Sequence, residues 1–161
     1  MTFSFKSIAS WSLVVVILIQ FVPLKRINPP VVSDIQLPGL IKSSLKKACY
    51  DCHSNESRWE NIAYIAPASW LVSNTVASGR KSLNFSEWNI QDMANNTKKT
   101  NEIQKVISER SAHQLLYYLW KPETCLTDKE KKALRQWFNQ YTQQQESFLK
   151  NSANNHQDRI F

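Results

Sequence analysis

The segment from Leu40 to His53 reads LIKSSLKKACYDCH. Its apolar side chains recur at the spacing of an α-helix, at Leu40, Ile41, Leu45 and Ala48. Cys49, Cys52 and His53 follow directly, so the helix runs into a Cys-x-x-Cys-His motif. The sequence therefore predicts a helix that presents two thiols and an imidazole close together.

A Cys-x-x-Cys-His motif is the attachment pattern of c-type haem, in which two thiols bind the vinyl groups and the imidazole ligates the iron. A structural zinc site is a weaker alternative, because the remaining cysteine and histidines show no zinc-finger spacing. A thioredoxin-like dithiol expects a βαβ context that is absent here, and a plain disulfide leaves the histidine unexplained. The motif therefore favours one covalent haem c at Cys49 and Cys52, with His53 as the proximal iron ligand.

Helices also account for the rest of the chain. Glycine occurs only twice in 161 residues, and no stretch combines alternating apolar residues with the tight-turn dipeptides of hairpins. Apolar spacing predicts one helix after Pro67 that is capped at Gly79, and another after residue 100 that Pro122 ends. The polar run QDMANNTKKT at residues 91–100 predicts an exposed loop. The fold class is predicted to be all-α.

The last helix has the clearest sequence signal. Thr127 and Glu130 form a capping-box pattern, in which each residue caps the backbone of the other at the helix start. The apolar residues that follow lie on one helical face: Ala133, Leu134, Trp137, Phe138 and Tyr141. We expect this helix to pack against the helix that leads to Cys49, in a helical bundle around the haem.

The N-terminal segment is strongly apolar. Residues 8–24 carry no charge, and they are preceded by Lys6 and followed by Lys25 and Arg26. Bulky and charged residues stand where a signal peptidase needs small ones, which favours an uncleaved signal anchor over a cleaved signal peptide. The sequence therefore predicts a transmembrane helix within residues 1–26.

The remaining boundaries follow from composition. The proline-containing stretch 27–36 predicts an extended linker, residues 37–149 the folded domain, and the Asn- and Gln-rich stretch 150–161 a disordered tail. The net charge of +7 comes from scattered lysines without an arginine-rich helix or an aromatic platform. This pattern argues against nucleic acid as a partner and is compatible with a basic surface near anionic lipid or with docking to an acidic redox protein.

Three blocks in fixed order carry a family resemblance: CYDCHSNESRW, IAPASWLV and GRKSLNFSEW. They resemble the bacterial haem-binding domain family, small envelope proteins that carry a single Cys-x-x-Cys-His motif and are related to class I cytochromes c. The resemblance covers residues 37–141. It implies a cytochrome c-like helical domain around one haem, covalent attachment at Cys49 and Cys52, iron ligation by His53, and a family signature at Leu83–Trp88.

The resemblance also suggests where a second axial ligand lies. Family members carry a Met-Pro pair shortly before the last helix, and the matching positions in this chain are Ala112 and His113. His113 is therefore the first candidate for the distal iron ligand. Met93 is the second, and an open sixth position is the third possibility.

These features together predict one-electron transfer by a haem domain in the periplasm, anchored to the bacterial inner membrane and serving redox partner proteins that the sequence does not identify. Two alternatives remain: a haem peroxidase or a gas or redox sensor with an open sixth position, or an accessory haem domain of a larger membrane complex. Arg58 and Arg80 are candidates for pairing with the haem propionates. Cys125 is predicted to be a buried apolar thiol, with an intermolecular link as the alternative.

Overall fold

The computed structural model describes residues 4–89, 92–109, 119 and 121–157. Within these ranges the chain forms helices α1 Phe5–Ile19, α2 Gly39–Ala48, α3 Tyr50–His53, α4 Ala68–Ser82, α5 Met93–Ser108 and α6 Asp128–Gln157, with 3-10 turns at Asn61–Tyr64 and Pro122–Thr124. The same ranges contain no β-strand, only one isolated bridge between Ser33 and Glu87. The predicted all-α fold class is confirmed.

Helix α6 is the element against which α2 and α5 pack, while α3 packs against α4. The predicted capping box is present: the Thr127 N–H donates to Glu130 Oε2 at 2.7 Å, and the Glu130 N–H donates to Thr127 Oγ1 at 3.3 Å. Leu134 and Phe138, one turn apart in α6, are completely buried. The expected packing of the helix that leads to the motif against the last helix is therefore observed.

The apolar core lies between α2, α6 and the segment that follows α4. Leu45 of α2 is completely buried there, as are Phe85 and Trp88 apart from 1% of their surfaces. Tyr50 stacks on Phe85 with ring centroids 5.3 Å apart. The core therefore reaches the cysteine motif itself, because Tyr50 lies between the two cysteines in sequence.

Helix α5 differs from the sequence prediction, because the polar run 91–100 is not an exposed loop. The helix begins at Met93, and the Asp92 carboxylate caps it by accepting a hydrogen bond from the Asn95 N–H at 3.3 Å. Its buried face is polar at Thr100, whose hydroxyl is 2.8 Å from that of Thr142 in α6. Apolar periodicity predicted this helix only from residue 101 onward, because hydrogen-bonded polar side chains fill part of its interface before that point.

Helix α6 also extends further than expected. It continues through Gln157, into the stretch 150–161 for which the sequence predicts a disordered tail. No glycine or proline follows Pro122, so the two residues that most strongly end helices are absent from this stretch.

Helix α1 contains 15 residues, a length of about 22 Å, and none of them is buried. It ends before Gln20, whose side chain exchanges two hydrogen bonds with the backbone of Ala66, at 3.2 and 3.0 Å. Across the described residues, no helix combines the length and the apolar character that crossing a bilayer requires. The transmembrane helix predicted within residues 1–26 is therefore not supported.

The stretch 27–36, predicted to be a linker, lies against the helical domain. The backbone N–H groups of Val32 and Ser33 donate to Ser86 O at 3.0 and 3.1 Å, and the Ile35 N–H donates to Phe85 O at 3.2 Å. Ile35 is only 2% exposed. These contacts make residues 32–35 part of the packed structure rather than a separate spacer.

Candidate functional site

The Cys-x-x-Cys-His motif forms the junction between α2 and α3. The Cys49 N–H donates to Leu45 O at 2.8 Å, and the His53 N–H donates to Cys49 O at 2.9 Å, so helical hydrogen bonding runs through the junction. Cys49 and Cys52 are not joined in a disulfide, and both are partly exposed. The two thiols and the imidazole thus project from little more than one turn of backbone.

Both thiols are weakly acidic in this environment. Burial of the sulfur atom raises the pKa of Cys49 to about 12, with a smaller contribution from the charge of Cys52. Burial raises the pKa of Cys52 to about 11, helped by the Asp51 charge and opposed by Lys121 and Arg80. The thiols are therefore protonated at neutral pH, which keeps them from acting as nucleophiles without activation.

The His53 ring has a fixed orientation. Its Nδ1 lies 3.0 Å from Gly79 O and 3.1 Å from Leu83 O, both backbone carbonyls at the end of α4. Carbonyl oxygens only accept hydrogen bonds, so Nδ1 must carry the proton and the ring lone pair is on Nε2. In metal-binding histidines, a hydrogen bond from the ring nitrogen that does not bind the metal fixes the tautomer and the orientation of the ring.

Gly79 makes the close approach of α4 to the motif possible. A Cβ atom at this position would overlap the carbonyl oxygen of Cys52 and lie 3.0 Å from its carbonyl carbon. The sequence predicted a helix cap at Gly79, but α4 continues to Ser82. That prediction was wrong because the glycine serves a contact with a residue 27 positions earlier rather than a local stop.

The stretch Leu83–Trp88, which carries the family resemblance, contacts the backbone at and after His53. The Phe85 N–H donates to His53 O at 2.8 Å. Asn84 Nδ2 donates to Asn55 Oδ1 at 2.9 Å, and the Asn55 N–H donates to Ser86 Oγ at 3.0 Å. This stretch therefore fixes the backbone that leaves the motif.

A cluster of charges surrounds Asp51, the acidic residue inside the motif. Lys121 Nζ lies 3.0 Å from Asp51 Oδ2 and 2.7 Å from Glu60 Oε1. Arg58 donates to Asp51 Oδ1 from Nε at 3.2 Å. Burial alone would lower the pKa of Lys121, but its hydrogen bonds to Glu60 and Asp51 outweigh burial and raise that pKa.

Arg80, proposed from sequence as a partner of a haem propionate, forms hydrogen bonds with other residues of the chain. Its guanidinium donates to Ser54 O at 2.8 Å, Ile27 O at 2.8 Å, Asn28 Oδ1 at 2.7 Å and Ser57 Oγ at 2.9 Å. These bonds tie the start of the predicted linker to the residues that follow the motif. Arg58, the other candidate, is more exposed, with 64% of its side-chain surface accessible.

The structure gives less detail about the other residues that the sequence singled out. His113 lies outside the described residues, and Met93 is described only as the first residue of α5. Cys125 is exposed, so the prediction of a buried thiol was wrong. The burial of the side chains alternates here: Thr124 and Leu126 are buried, and Cys125 between them is exposed.

Sequence reasoning missed Lys121, Gly79 and Leu83 as neighbours of the motif. Asp51 was the one indication of such a neighbour in the sequence. A carboxylate inside a motif near the core needs a positively charged or hydrogen-bonding partner. One of the partners of Asp51 is Lys121, which is 70 positions away in sequence, and one basic residue among 20 lysines and arginines does not stand out.

Comparison with known families matches most of the chain to a family of haem-binding proteins. The model of the haem-binding domain matches residues 14–140, which is 127 of the 161 residues. No curated protein and no solved structure matches the chain. The matched range contains the cysteine motif, the carbonyls that hold His53 and the first part of α6, so the chain belongs to the haem-binding domain family.

Proposed function

We propose that this protein binds one haem c covalently through Cys49 and Cys52, with His53 as the proximal iron ligand, in a cytochrome c-like domain that transfers single electrons. The observation that carries the proposal is the His53 ring, whose Nδ1 is held by the backbone carbonyls of Gly79 and Leu83 beside two cysteines that are not joined in a disulfide. Membership of a haem-binding family supports the choice of cofactor.

The residues of the motif fit this cofactor by their chemistry. Two thiols without a disulfide suit thioether formation, and the Nδ1–H tautomer directs the Nε2 lone pair toward an iron. When bound, the haem supplies a one-electron ferric–ferrous couple. The role of the chain is to hold the group, orient the imidazole and provide an apolar surrounding.

The distal ligand remains a prediction. We propose His113, with Met93 as the second candidate. The haem-binding domain family carries a methionine at the position of Ala112, and His113 is the next residue. An imidazole favours ferric iron more than a thioether does, so the midpoint potential is expected below that of His/Met cytochromes.

We further propose that the haem domain works in the bacterial periplasm, because thioether formation takes place on the exported side of the inner membrane. The apolar residues of α1 are exposed along its whole length, which suits association with the bilayer. The partners in electron transfer would be proteins, and the net charge of +7 favours acidic docking surfaces.

One alternative follows from the absence of the Met-Pro pair. Without a distal ligand the iron would be open, which suits a peroxidase or a gas or redox sensor. An accessory haem domain within a membrane complex is the other alternative, and co-purification of other subunits after mild solubilisation would reveal it.

The first test is covalent attachment in the full chain, expressed with a haem maturation system. One haem per chain should survive denaturing electrophoresis and give a pyridine haemochrome spectrum, and replacing both Cys49 and Cys52 by Ala should abolish it. Cys125→Ala is the matched control and should keep the haem. Haem that extracts freely from the wild-type protein would exclude covalent binding.

A second test addresses the distal ligand. His113→Ala should convert the iron to a high-spin or water-ligated form and allow carbon monoxide binding. If Met93→Ala has this effect and His113→Ala does not, the methionine is the ligand. If the wild-type protein already binds carbon monoxide, the sensor or peroxidase function is favoured over electron transfer.

A further inference from the structure

Lys121 is a buried lysine next to the haem-attachment motif. The residue is only 6% exposed, and its ammonium group contacts carboxylates of Asp51 and Glu60 at 3.0 and 2.7 Å. A buried ammonium is costly unless it is paired, so these contacts are needed to keep it in place. They also join the start of the turn Pro122–Thr124 to the middle of the motif, across 70 positions of sequence.

Within the described part of the chain, the charged side chains that pair with Lys121 or Asp51 balance. Asp51 and Glu60 carry two negative charges, and Lys121 and Arg58 carry two positive ones. Removal of Lys121 would leave a net negative charge beside Cys52, one of the two attachment residues. The Lys121 ammonium is 3.0 Å from the carboxylate of Asp51, which directly precedes Cys52 in the sequence.

We propose that Lys121 is a positioning residue for haem: it holds Asp51 inside the attachment motif and supplies a buried positive charge that raises the midpoint potential of the iron. The inference rests on the proposed covalent haem. A positive charge near the iron favours the ferrous state, which carries one positive charge less than the ferric state. Because the side chain is buried, dissolved salt screens this charge poorly.

A second lysine near the motif provides a matched control. Lys46 pairs with Glu56 at 3.0 Å and lies 5.6 Å from the centre of the Tyr50 ring, but 45% of its side chain is exposed. An exposed charge is screened by water and salt. Lys46→Met should therefore have a much smaller effect on the potential than Lys121→Met, and that effect should disappear at high salt.

The experiment is redox titration of the full-length holoprotein. Lys121→Met should lower the midpoint potential at both low and high salt, Lys121→Arg should restore it, and Glu60→Gln, which removes a negative charge, should raise it. If Lys121→Met does not fold, Glu60→Gln and the double variant Asp51→Asn with Lys121→Met still test the proposal. The double variant removes one charge of each sign and should return the potential toward that of the wild type.

Unchanged potentials in Lys121→Met and Glu60→Gln, with haem content and spectra equal to wild type, would overturn the inference and leave the proposed function intact. A shift that Lys121→Arg does not rescue would also overturn it. Absence of covalent haem in the wild-type protein would instead refute the proposed function.

Discussion

The Cys-x-x-Cys-His motif is held in two different ways on its two sides. Toward α4 the contacts are made by backbone atoms: the carbonyls of Gly79 and Leu83 accept from His53, and Gly79 has no side chain because Cys52 occupies the space. Toward α6 the contacts are made by apolar side chains, with Leu45, Leu134 and Phe138 completely buried. The comparison suggests that the α6 side supplies stability, whereas the α4 side sets the orientation of the histidine.

The largest expected effect is on the α6 side. Phe138→Ala should lower the free energy of unfolding by about 3–5 kcal/mol, because it opens a cavity in the core. Urea denaturation of the wild type and the variant measures this difference. Phe148→Ala in the same helix is the control, since that ring is 57% exposed and its loss should change stability by no more than about 0.5 kcal/mol. Equal losses in both variants would show that Phe138 does not anchor the core.

The α4 side is tested by the two glycines of the chain. Gly79→Ala should destabilise the fold by about 1–3 kcal/mol, because the new methyl group must push α4 away from Cys52. In the holoprotein it should also alter the absorption spectrum of the haem, since the carbonyls that orient His53 would move.

Gly39→Ala is the control for that variant. Gly39 begins α2, and a Cβ there meets nothing within 4 Å. The substitution should be neutral or stabilise by up to about 1 kcal/mol. A Gly79→Ala protein with wild-type stability and spectrum would contradict the claim that α4 approaches Cys52 closely only because residue 79 has no side chain.

The smallest effect concerns the ion pair between the start of α6 and α2. Lys47 Nζ lies 2.7 Å from Glu130 Oε1, and this hydrogen bond lowers the pKa of Glu130 below its ordinary value of 4.5. Because the pKa is lower in the folded state, the stabilisation is present above pH 4.5 and is lost as the pH falls through the folded value.

Glu130→Gln keeps the capping hydrogen bonds and removes the charge. It should cost about 0.5–1 kcal/mol at pH 7, and the difference from wild type should shrink below pH 4.5. Chemical denaturation at several pH values measures this dependence, with Glu146→Gln, an exposed position later in the same helix, as the control. A difference that does not depend on pH would contradict the assignment to the ion pair.

The sequence predicted the parts of the structure that depend on local pattern. The capping box at Thr127 and Glu130 and the buried face of α6 follow from residues within a few positions of each other, and so does the helix that leads to Cys49. The start of α5 was missed because its interface includes Thr100, a polar residue. Gly79 and Lys121 were missed because their roles depend on partners 27 and 70 positions away.

The contact between His53 and α4 has an electronic consequence. Gly79 and Leu83 lie at the C-terminal end of a 15-residue helix, where the aligned peptide dipoles sum to roughly half a negative charge. An imidazole whose N–H points into that field is a stronger electron donor through its other nitrogen. The last turn of α4 therefore contributes to the electron density on the other ring nitrogen of His53, and a substitution that unwinds this turn would lower that density without changing the histidine itself.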